Sequence, residues 1–199
     1  MLNVEQKQMP RKVIVLNGAP SSGKDTIAKL FRGRQNFYHM EVKAELFKIA
    51  LQLSGISKED WFDRYDDREN NLKEQPWDRL GGLSQREFLI KISEEWMKPV
   101  FGNHVFGKKA AESVQSNGRS TSEFIFSDGG FQDELDAMVE ELGEDNILLI
   151  RLHREGCSFE GDSRGFLKHK HEHDVHNNET AQKAFQEIFF KYVDSIYTL

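Results

Sequence analysis

The chain has 199 residues, of which 33 are acidic and 27 are basic, so its formal net charge is −6 with neutral histidines. This acidity argues against a protein that binds nucleic acid through net charge alone, although a local basic groove is compatible with it. Hydrophobic residues make up 38 % and charged residues 30 %, as in a globular protein rather than a disordered chain. The single cysteine, Cys157, excludes an internal disulfide framework.

Neither a membrane span nor a signal peptide is predicted. No stretch reaches the about 20 consecutive apolar residues that a bilayer span requires. Residues 1–12 lack the apolar core of a signal peptide. We therefore expect a single domain, residues 1–199, that lies in the cytoplasm and has no membrane partner.

Short apolar runs alternate with helical patterns along the chain. Strands are predicted at residues 13–16, 36–40, 122–128 and 146–152, and helices at 26–31, 41–53, 84–97, 105–114, 132–142 and 180–196. The helix after Ser84 has a capping box, since Glu87 follows three residues later. Strands that alternate with helices predict an α/β fold with a parallel sheet and right-handed crossovers.

Two polar segments interrupt this alternation. Residues 57–82 contain Trp61, Phe62 and Trp77, which linkers rarely contain, so we interpret this segment as a partly helical excursion over an active site. The three aromatic side chains either stack on a nucleobase or pack the excursion onto the core. Residues 154–173 are charged and contain glycines, which predicts a mobile loop.

Residues 18–26 read GAPSSGKDT and have the spacing G-x-x-x-x-G-K between a predicted strand and a predicted helix. Glycines at these positions allow backbone N–H groups to surround phosphate oxygens without a Cβ clash. Lys24 would reach the β- and γ-phosphates of ATP, and the helix N-terminus would face them. The alternative is an ordinary glycine-rich turn. The predicted nucleotide-binding residues of the turn are Gly18, Ala19, Ser21, Ser22, Gly23, Lys24, Asp25 and Thr26.

Two aspartates are candidate magnesium ligands. Asp25 follows Lys24, where the motif normally has a Ser or Thr whose hydroxyl binds magnesium, and Thr26 comes one place later. Asp25 would bind Mg²⁺, directly or through water, or would accept a proton from the attacking group. Asp128 ends a predicted strand, where it would hold Mg²⁺ through water or cap the next helix.

The turn, with Asp after the lysine, resembles that of the deoxynucleoside monophosphate kinases of tailed phages, which usually end in Gly-Lys-Asp-Thr. Residues 65–72, 84–89 and 128–137 resemble the same family in the right order, and residues 173–178 resemble it more weakly. The resemblance implies a P-loop nucleotide kinase fold with a parallel sheet of about five strands, an acceptor-binding insertion at about 55–83 and a lid at about 154–172. It implies transfer of the γ-phosphoryl group of ATP to a deoxynucleoside monophosphate, giving the diphosphate.

The resemblance also implies roles for residues outside the turn. Arg68 and Arg86 would bind the acceptor's phosphate, and Arg86 is counted as catalytic; a surface ion pair is the alternative for each. Arg154 and Arg164 would be lid arginines that contact ATP and the acceptor respectively, or would lie in a solvated loop. Asn177 would contact adenine, or is a turn residue like its neighbour Asn178. Phe131 is assigned to the acceptor site.

The sequence departs from the family at Gly130, where the phage enzymes tend to have an arginine two residues after the strand-end aspartate. Loss of this guanidinium would weaken the recognition of a small anionic acceptor, so the identity of the acceptor is not fixed by the resemblance. The glycine pair would make room for a bulkier substrate. Related phage kinases phosphorylate 5-hydroxymethyluracil within DNA, and this modification of DNA is our alternative function. An acceptor-independent ATPase and a nucleotide-binding module are further alternatives, and a homodimer is compatible with all of them.

A run of histidines at positions 169, 171, 173 and 176 is the other conspicuous pattern. Alternation would place three of them on one face of an extended segment, which is the arrangement of a metal site. We favour a polar surface over zinc, because no cysteine supports the set and the segment is predicted to be a loop. Cys157 has no base beside it in the sequence and is not predicted to be a nucleophile.

Overall fold

The structure is a computed structural model that describes residues 12–33, 37–67, 69–117 and 123–193 of the chain. The strands are β1 (Val13–Gly18), β2 (Phe37–Met40), β3 (Glu123–Gly129), β4 (Ile147–His153) and β5 (Glu172–His176). The α-helices are α1 (Lys24–Arg32), α2 (Ala44–Ser54), α3 (Lys58–Tyr65), α4 (Gln85–Ile90), α5 (Lys98–Phe101), α6 (Val105–Ser116), α7 (Gln132–Leu142) and α8 (Ala181–Ile188).

The five strands form one parallel sheet in the order β2-β3-β1-β4-β5. The predicted α/β fold, a five-stranded parallel sheet flanked by helices, is therefore confirmed. β1 lies in the centre and is buried along its whole length, as its β-branched apolar run predicts. The order of the strands reverses around β1, and ligands of open parallel sheets bind at such points, beyond the carboxyl ends of the strands.

The apolar face of α1 packs on the sheet directly after the turn that follows β1. Ile27, Ala28 and Phe31 of this helix are buried against Ile14 and Leu16 of β1 and against residues of α8. The ring of Phe31 meets that of Phe185 edge to face, with 4.8 Å between the centroids. This packing holds the first turn of α1, and with it Lys24, at the carboxyl edge of the sheet.

The chain separates into two compact units. The sheet unit comprises Met1–Val42 and Gly107–Leu199, and the helical unit comprises Lys43–Phe106. The helical unit contains the predicted excursion together with residues on both sides of it. None of the helices among the described residues has the length and hydropathy of a membrane span.

The helical unit has an apolar core of its own. Trp61 is fully buried there among Phe47, Ala50, Leu89 and Ile92. The indole of Trp77 lies 6.5 Å from that of Trp61, and Phe62 is half-buried against the same core. These aromatic residues therefore pack in a core of the helical unit itself and not, as the packing interpretation had it, in the core of the sheet. Stacking on a nucleobase stays a prediction.

The predicted helix over residues 84–97 begins where expected but changes its geometry. After α4, residues Lys91–Met97 form a π-helix, and the N–H of Lys98 donates to the carbonyl of Ser93, five residues earlier. Pro99 lies in the first turn of the following α5. Because proline has no N–H and its ring collides with the carbonyl four residues before it, the regular α-helical pattern cannot continue through this point.

The capping box of α4 is present. The N–H of Glu87 donates to Oγ of Ser84 over 3.1 Å, and the N–H of Ser84 donates to the Glu87 carboxylate over 2.8 Å. We expect Ser84→Ala to lower the free energy of unfolding by about 1 kcal/mol. Ser84→Asp retains an acceptor at the N-cap and should restore most of this loss. Chemical denaturation followed by circular dichroism measures both, and equal stability of all three proteins would contradict the role of the cap.

Candidate functional site

The turn between β1 and α1 is closely packed around its two glycines. A Cβ at Gly18 would lie 2.7 Å from the carbonyl oxygen of Leu152 and 2.7 Å from Oγ of Ser22. Gly23 has a φ of +100° and caps α1, and a Cβ there would collide with Nδ2 of Asn177. Ser21 also has a positive φ, of 64°, which is uncommon for a residue with a side chain. The turn therefore needs glycine at position 18 because of close packing, and at position 23 because of both its packing and its positive φ.

Lys24 folds back into this turn. Its Nζ donates to the carbonyl oxygens of Gly18, at 2.7 Å, and of Ala19, at 2.9 Å. Burial lowers the pKa of Lys24, and the Arg164 guanidinium lowers it further, while the carboxylates of Asp25 and Asp128 act in the opposite direction. The ammonium group is thus held inside the turn by two backbone carbonyls.

Asn177 supports the turn from the end of β5. Its side chain is buried, and Nδ2 donates to the carbonyl of Ser22 over 2.8 Å. Its backbone N–H donates to the carbonyl of His153 at the end of β4, over 2.8 Å. The structure thus places Asn177 behind the turn, in contact with its backbone. A contact between Asn177 and adenine stays a prediction.

The two predicted magnesium ligands lie on different elements. Asp25 is exposed in the first turn of α1, next to Thr26. Asp128 is half-buried near the end of β3, where Oδ1 accepts a hydrogen bond from the N–H of Val42 over 2.8 Å. Both carboxylates act to raise the pKa of Lys24. Carboxylate oxygens are ligands that Mg²⁺ prefers, and this donor set fits the ion.

The alternative reading of Asp128 as a helix N-cap is wrong. The N-cap of α7 is Phe131, which has an extended backbone, and no side chain caps this helix. The helix starts at Gln132, four residues after Asp128, because Gly129 still belongs to β3. Phe131 is half-buried, and its place in an acceptor site stays a prediction.

The two predicted lid arginines both lie in the sheet unit near the turn. Arg154 is exposed and donates to the carbonyl of Ser21 over 3.2 Å. Arg164 is half-buried and forms a two-pronged ion pair with Asp162, at 2.8 and 2.5 Å. Residues 154–171 have no regular helix or strand, whereas Glu172 and His173, which the predicted loop also included, belong to β5. Their mobility and the closing of a lid stay predictions.

The space over Gly130 holds the side chain of Arg164. A Cβ at Gly130 would lie 2.6 Å from Cδ and 3.2 Å from Cγ of this arginine. The sequence interpretation that the glycine makes room for a bulkier substrate is therefore wrong for the position itself, because the protein fills it. Position 130 has no arginine, but the guanidinium of Arg164 lies in the same region.

Of the two predicted acceptor arginines the structure describes Arg86, which belongs to the helical unit. Arg86 is exposed on α4 and makes an ion pair with Glu74 at 3.3 Å. This is the surface pair that the sequence offered as its alternative, and binding of a phosphate by Arg86 stays a prediction. Arg68 lies outside the described residues.

His39 is a residue near the site that the sequence analysis missed. Its Nε2 lies 2.9 Å from Oγ of the buried Ser127, which precedes Asp128. Burial lowers the pKa of His39, whereas the carboxylates of Glu41, Asp25 and Asp128 act to raise it. The position of His39 on a short edge strand carries no motif, so only the pairing of β2 with β3 reveals its place beside Ser127.

The lowered pKa of His39 predicts a pH dependence of stability. Above about pH 6.5 the imidazole is neutral in both the folded and the unfolded state. As the pH falls below that value, the unfolded state takes up the proton first, so the folded state loses stability until the pH passes the folded pKa. We expect the wild type to lose more unfolding free energy than His39→Gln between about pH 7 and about pH 5.5. Denaturation at several pH values measures this, and parallel curves for the two proteins would contradict it.

The histidine run forms separate contacts rather than one site. His171 lies 2.9 Å from Asp145, His173 stacks on Tyr192 with 4.0 Å between the rings, and His176 stacks on His153. No group of three or more His, Cys, Asp or Glu side chains that could hold a metal occurs in the described part of the chain. Cys157 is partly buried, and no role of it as a nucleophile is indicated.

No family model matches the sequence, and no curated protein matches it either. Among solved structures, a gluconokinase from Sinorhizobium meliloti 1021 matches 95 % of this chain and 97 % of its own, with 14 % identity and a TM-score of 0.45. A likeness at this TM-score establishes neither a common fold nor a common activity. The strand order and register of the chain itself establish its parallel α/β fold.

Proposed function

We propose that the protein is an ATP-dependent phosphotransferase whose triphosphate site is the turn from Gly18 to Thr26. The observation that carries the proposal is the position of Lys24 inside a glycine-dependent turn, at the carboxyl end of the central strand and in the first turn of α1. Backbone N–H groups of such a turn and of a helix N-terminus attract phosphate oxygens. The sequence motif and the geometry thus support the same chemistry.

Two residues of the turn and three residues outside it have definite tasks in this proposal. The ammonium of Lys24, which now donates to two backbone carbonyls, would instead donate to the β- and γ-phosphates. Asp25 and Asp128 would hold Mg²⁺, which supplies neutralisation of phosphate charge when bound. The guanidinium groups of Arg154 and Arg164 would stabilise charge on the transferred group. The protein would thus act by positioning and by electrostatic stabilisation.

The acceptor that we propose is a deoxynucleoside monophosphate, which would become the diphosphate. An oxygen of its phosphate would form the new bond to the γ-phosphorus while the bond to the oxygen bridging the β- and γ-phosphorus breaks, and ADP would leave. Support for this acceptor comes from the sequence resemblance to the phage kinases. Phosphorylation of 5-hydroxymethyluracil in DNA, hydrolysis of ATP without an acceptor, and binding without turnover are the other outcomes of the test.

The test is release of ADP from Mg-ATP by the purified protein, with each of the four common deoxynucleoside monophosphates, with DNA that contains 5-hydroxymethyluracil, and with no acceptor. We expect ADP release that depends on at least one monophosphate and an equal amount of the diphosphate product. Stimulation by the modified DNA alone would assign the acceptor to DNA. Release without an acceptor would identify an ATPase, and no release in any arm would contradict the proposed function.

A further inference from the structure

We propose that Gly130 is a positioning residue. Because it has no side chain, Arg164 can lie over it, and the guanidinium of Arg164 then contacts the terminal phosphate of a nucleoside triphosphate bound at Lys24. The proposal deepens the proposed function and rests on its triphosphate site. It assigns discrimination between nucleoside triphosphate and diphosphate to a built-in arrangement of Gly130, Asp162 and Arg164, rather than to the turn alone.

The aliphatic part of Arg164 lies directly over Gly130. A methyl group there would come within 2.6 Å of Cδ and 3.2 Å of Cγ, and the next nearest atom, the carbonyl oxygen of Asp128, would be 3.6 Å away. The first two distances are shorter than carbon atoms tolerate without displacement, whereas the third is an ordinary contact. A side chain at position 130 would therefore displace Arg164 and little else.

Asp162 holds the charged end of the same side chain. Its two carboxylate oxygens accept hydrogen bonds from Nε and from one terminal nitrogen of Arg164, at 2.8 and 2.5 Å. Oδ1 also accepts a hydrogen bond from the backbone N–H of Arg164, at 3.0 Å. This pairing occupies one edge of the planar guanidinium and leaves its other N–H groups directed elsewhere, which is how an arginine can bind a second anion while its orientation is kept.

The backbone that carries Arg164 is tied to the strand that precedes the turn. Asn17 is fully buried near the end of β1, and its Nδ2 donates to the carbonyls of Gly129 and Gly165, each at 3.1 Å. Its Oδ1 accepts the N–H of Leu167 over 3.1 Å. One side chain thus joins β1, the end of β3 and the residues that follow Arg164, so the backbone directly after the arginine is anchored before any ligand binds.

This arrangement brings two cations together. Arg164 lies over Gly130, whose neighbour Gly129 pairs with Asn17 of β1. Lys24 donates to the carbonyl of Gly18, the next residue of β1, so both cations lie at the same end of the sheet. Two cations held near each other in a half-buried region favour an anion between them. A triphosphate has more negative charge than a diphosphate, and its terminal phosphate carries that additional charge. This phosphate therefore gains most from an arginine placed beside the lysine.

The experiment compares binding of ADP and of a non-hydrolysable ATP analogue, each with Mg²⁺, by calorimetry. The variants are Gly130→Ala, Arg164→Ala and the double variant, and Gly33→Ala is the matched control, since a Cβ there has an ordinary 3.4 Å contact. We expect Gly130→Ala and Arg164→Ala each to weaken the ATP analogue by about tenfold or more, because a charge-assisted contact is lost. ADP binding should change by less than about threefold.

The double variant separates positioning from a general structural effect. If Gly130 acts through Arg164, Gly130→Ala causes no further loss once Arg164 is alanine. Equal weakening of ADP and the ATP analogue, an additive loss in the double variant, or unchanged affinities would each overturn the inference while leaving the proposed triphosphate site in place. Failure of the wild type to bind either nucleotide would overturn the proposed function and this inference together.

Discussion

Replacement of Lys24 by alanine is expected to remove at least roughly 99 % of turnover while the fold stays intact, a loss of a few kcal/mol in transition-state stabilisation. The ammonium is placed inside the turn by two short hydrogen bonds to Gly18 and Ala19, and it is the group that would contact the β- and γ-phosphates. Its removal also removes a partly desolvated charge, so the melting temperature should stay close to that of the wild type.

Lys29→Ala is the matched control for this substitution. Lys29 lies exposed on the same helix, outside the turn, so its loss should leave turnover near the wild-type level. Steady-state ADP release and thermal melting followed by circular dichroism measure the two properties. Near-normal turnover by a folded Lys24→Ala protein would refute the role assigned to the lysine.

Replacement of Asp128 by asparagine is expected to reduce kcat by about 100-fold or more at saturating magnesium, because a ligand of the ion loses its charge. The amide oxygen of asparagine can still accept the N–H of Val42, which Asp128 now accepts over 2.8 Å. Stability should therefore change little. Asp128→Ala removes that acceptor too and should lower the unfolding free energy by about 1–3 kcal/mol in addition.

This pair of substitutions separates the electrostatic role of Asp128 from its structural role. Asp133→Asn, on the exposed side of the first turn of α7, is the control with an equal change of charge. The measurement is ADP release as a function of magnesium concentration, together with denaturation of each variant. If Asp128→Asn kept the activity and magnesium dependence of the wild type, Asp128 would have no part in binding the ion.

Local pattern predicted much of the fold. The β-branched run of β1 and the apolar run of β3 mark buried strands, and the spacing of Ile27, Ala28 and Phe31 marks the buried face of α1. The edge strand β5 was harder to recognise from the sequence pattern. Of its five residues only Val175 is buried, because a strand at the edge of a sheet exposes most of its side chains. The π-helix after α4 could not be predicted, because its hydrogen-bond register depends on how this helix packs as well as on Pro99.

The turn was predictable because its chemistry is contained in nine consecutive residues. What the sequence could not show are the contacts that connect distant segments to it. Asn177 reaches the carbonyl of Ser22 across 155 positions, and Asn17 reaches Leu167 across 150. The place of Arg164 over Gly130 is of the same kind. Such contacts arise from the strand order, in which β1, β4 and β5 end side by side, and carry no local signature.

The most direct test of the account is a crystal structure with Mg²⁺ and a non-hydrolysable ATP analogue. We predict that the phosphates lie against the backbone N–H groups of residues 21–26 and that Nζ of Lys24 has left the carbonyls of Gly18 and Ala19 to contact the β- and γ-phosphates. A nucleotide bound elsewhere, with Lys24 still donating to both carbonyls, would contradict the assignment of this turn as the triphosphate site.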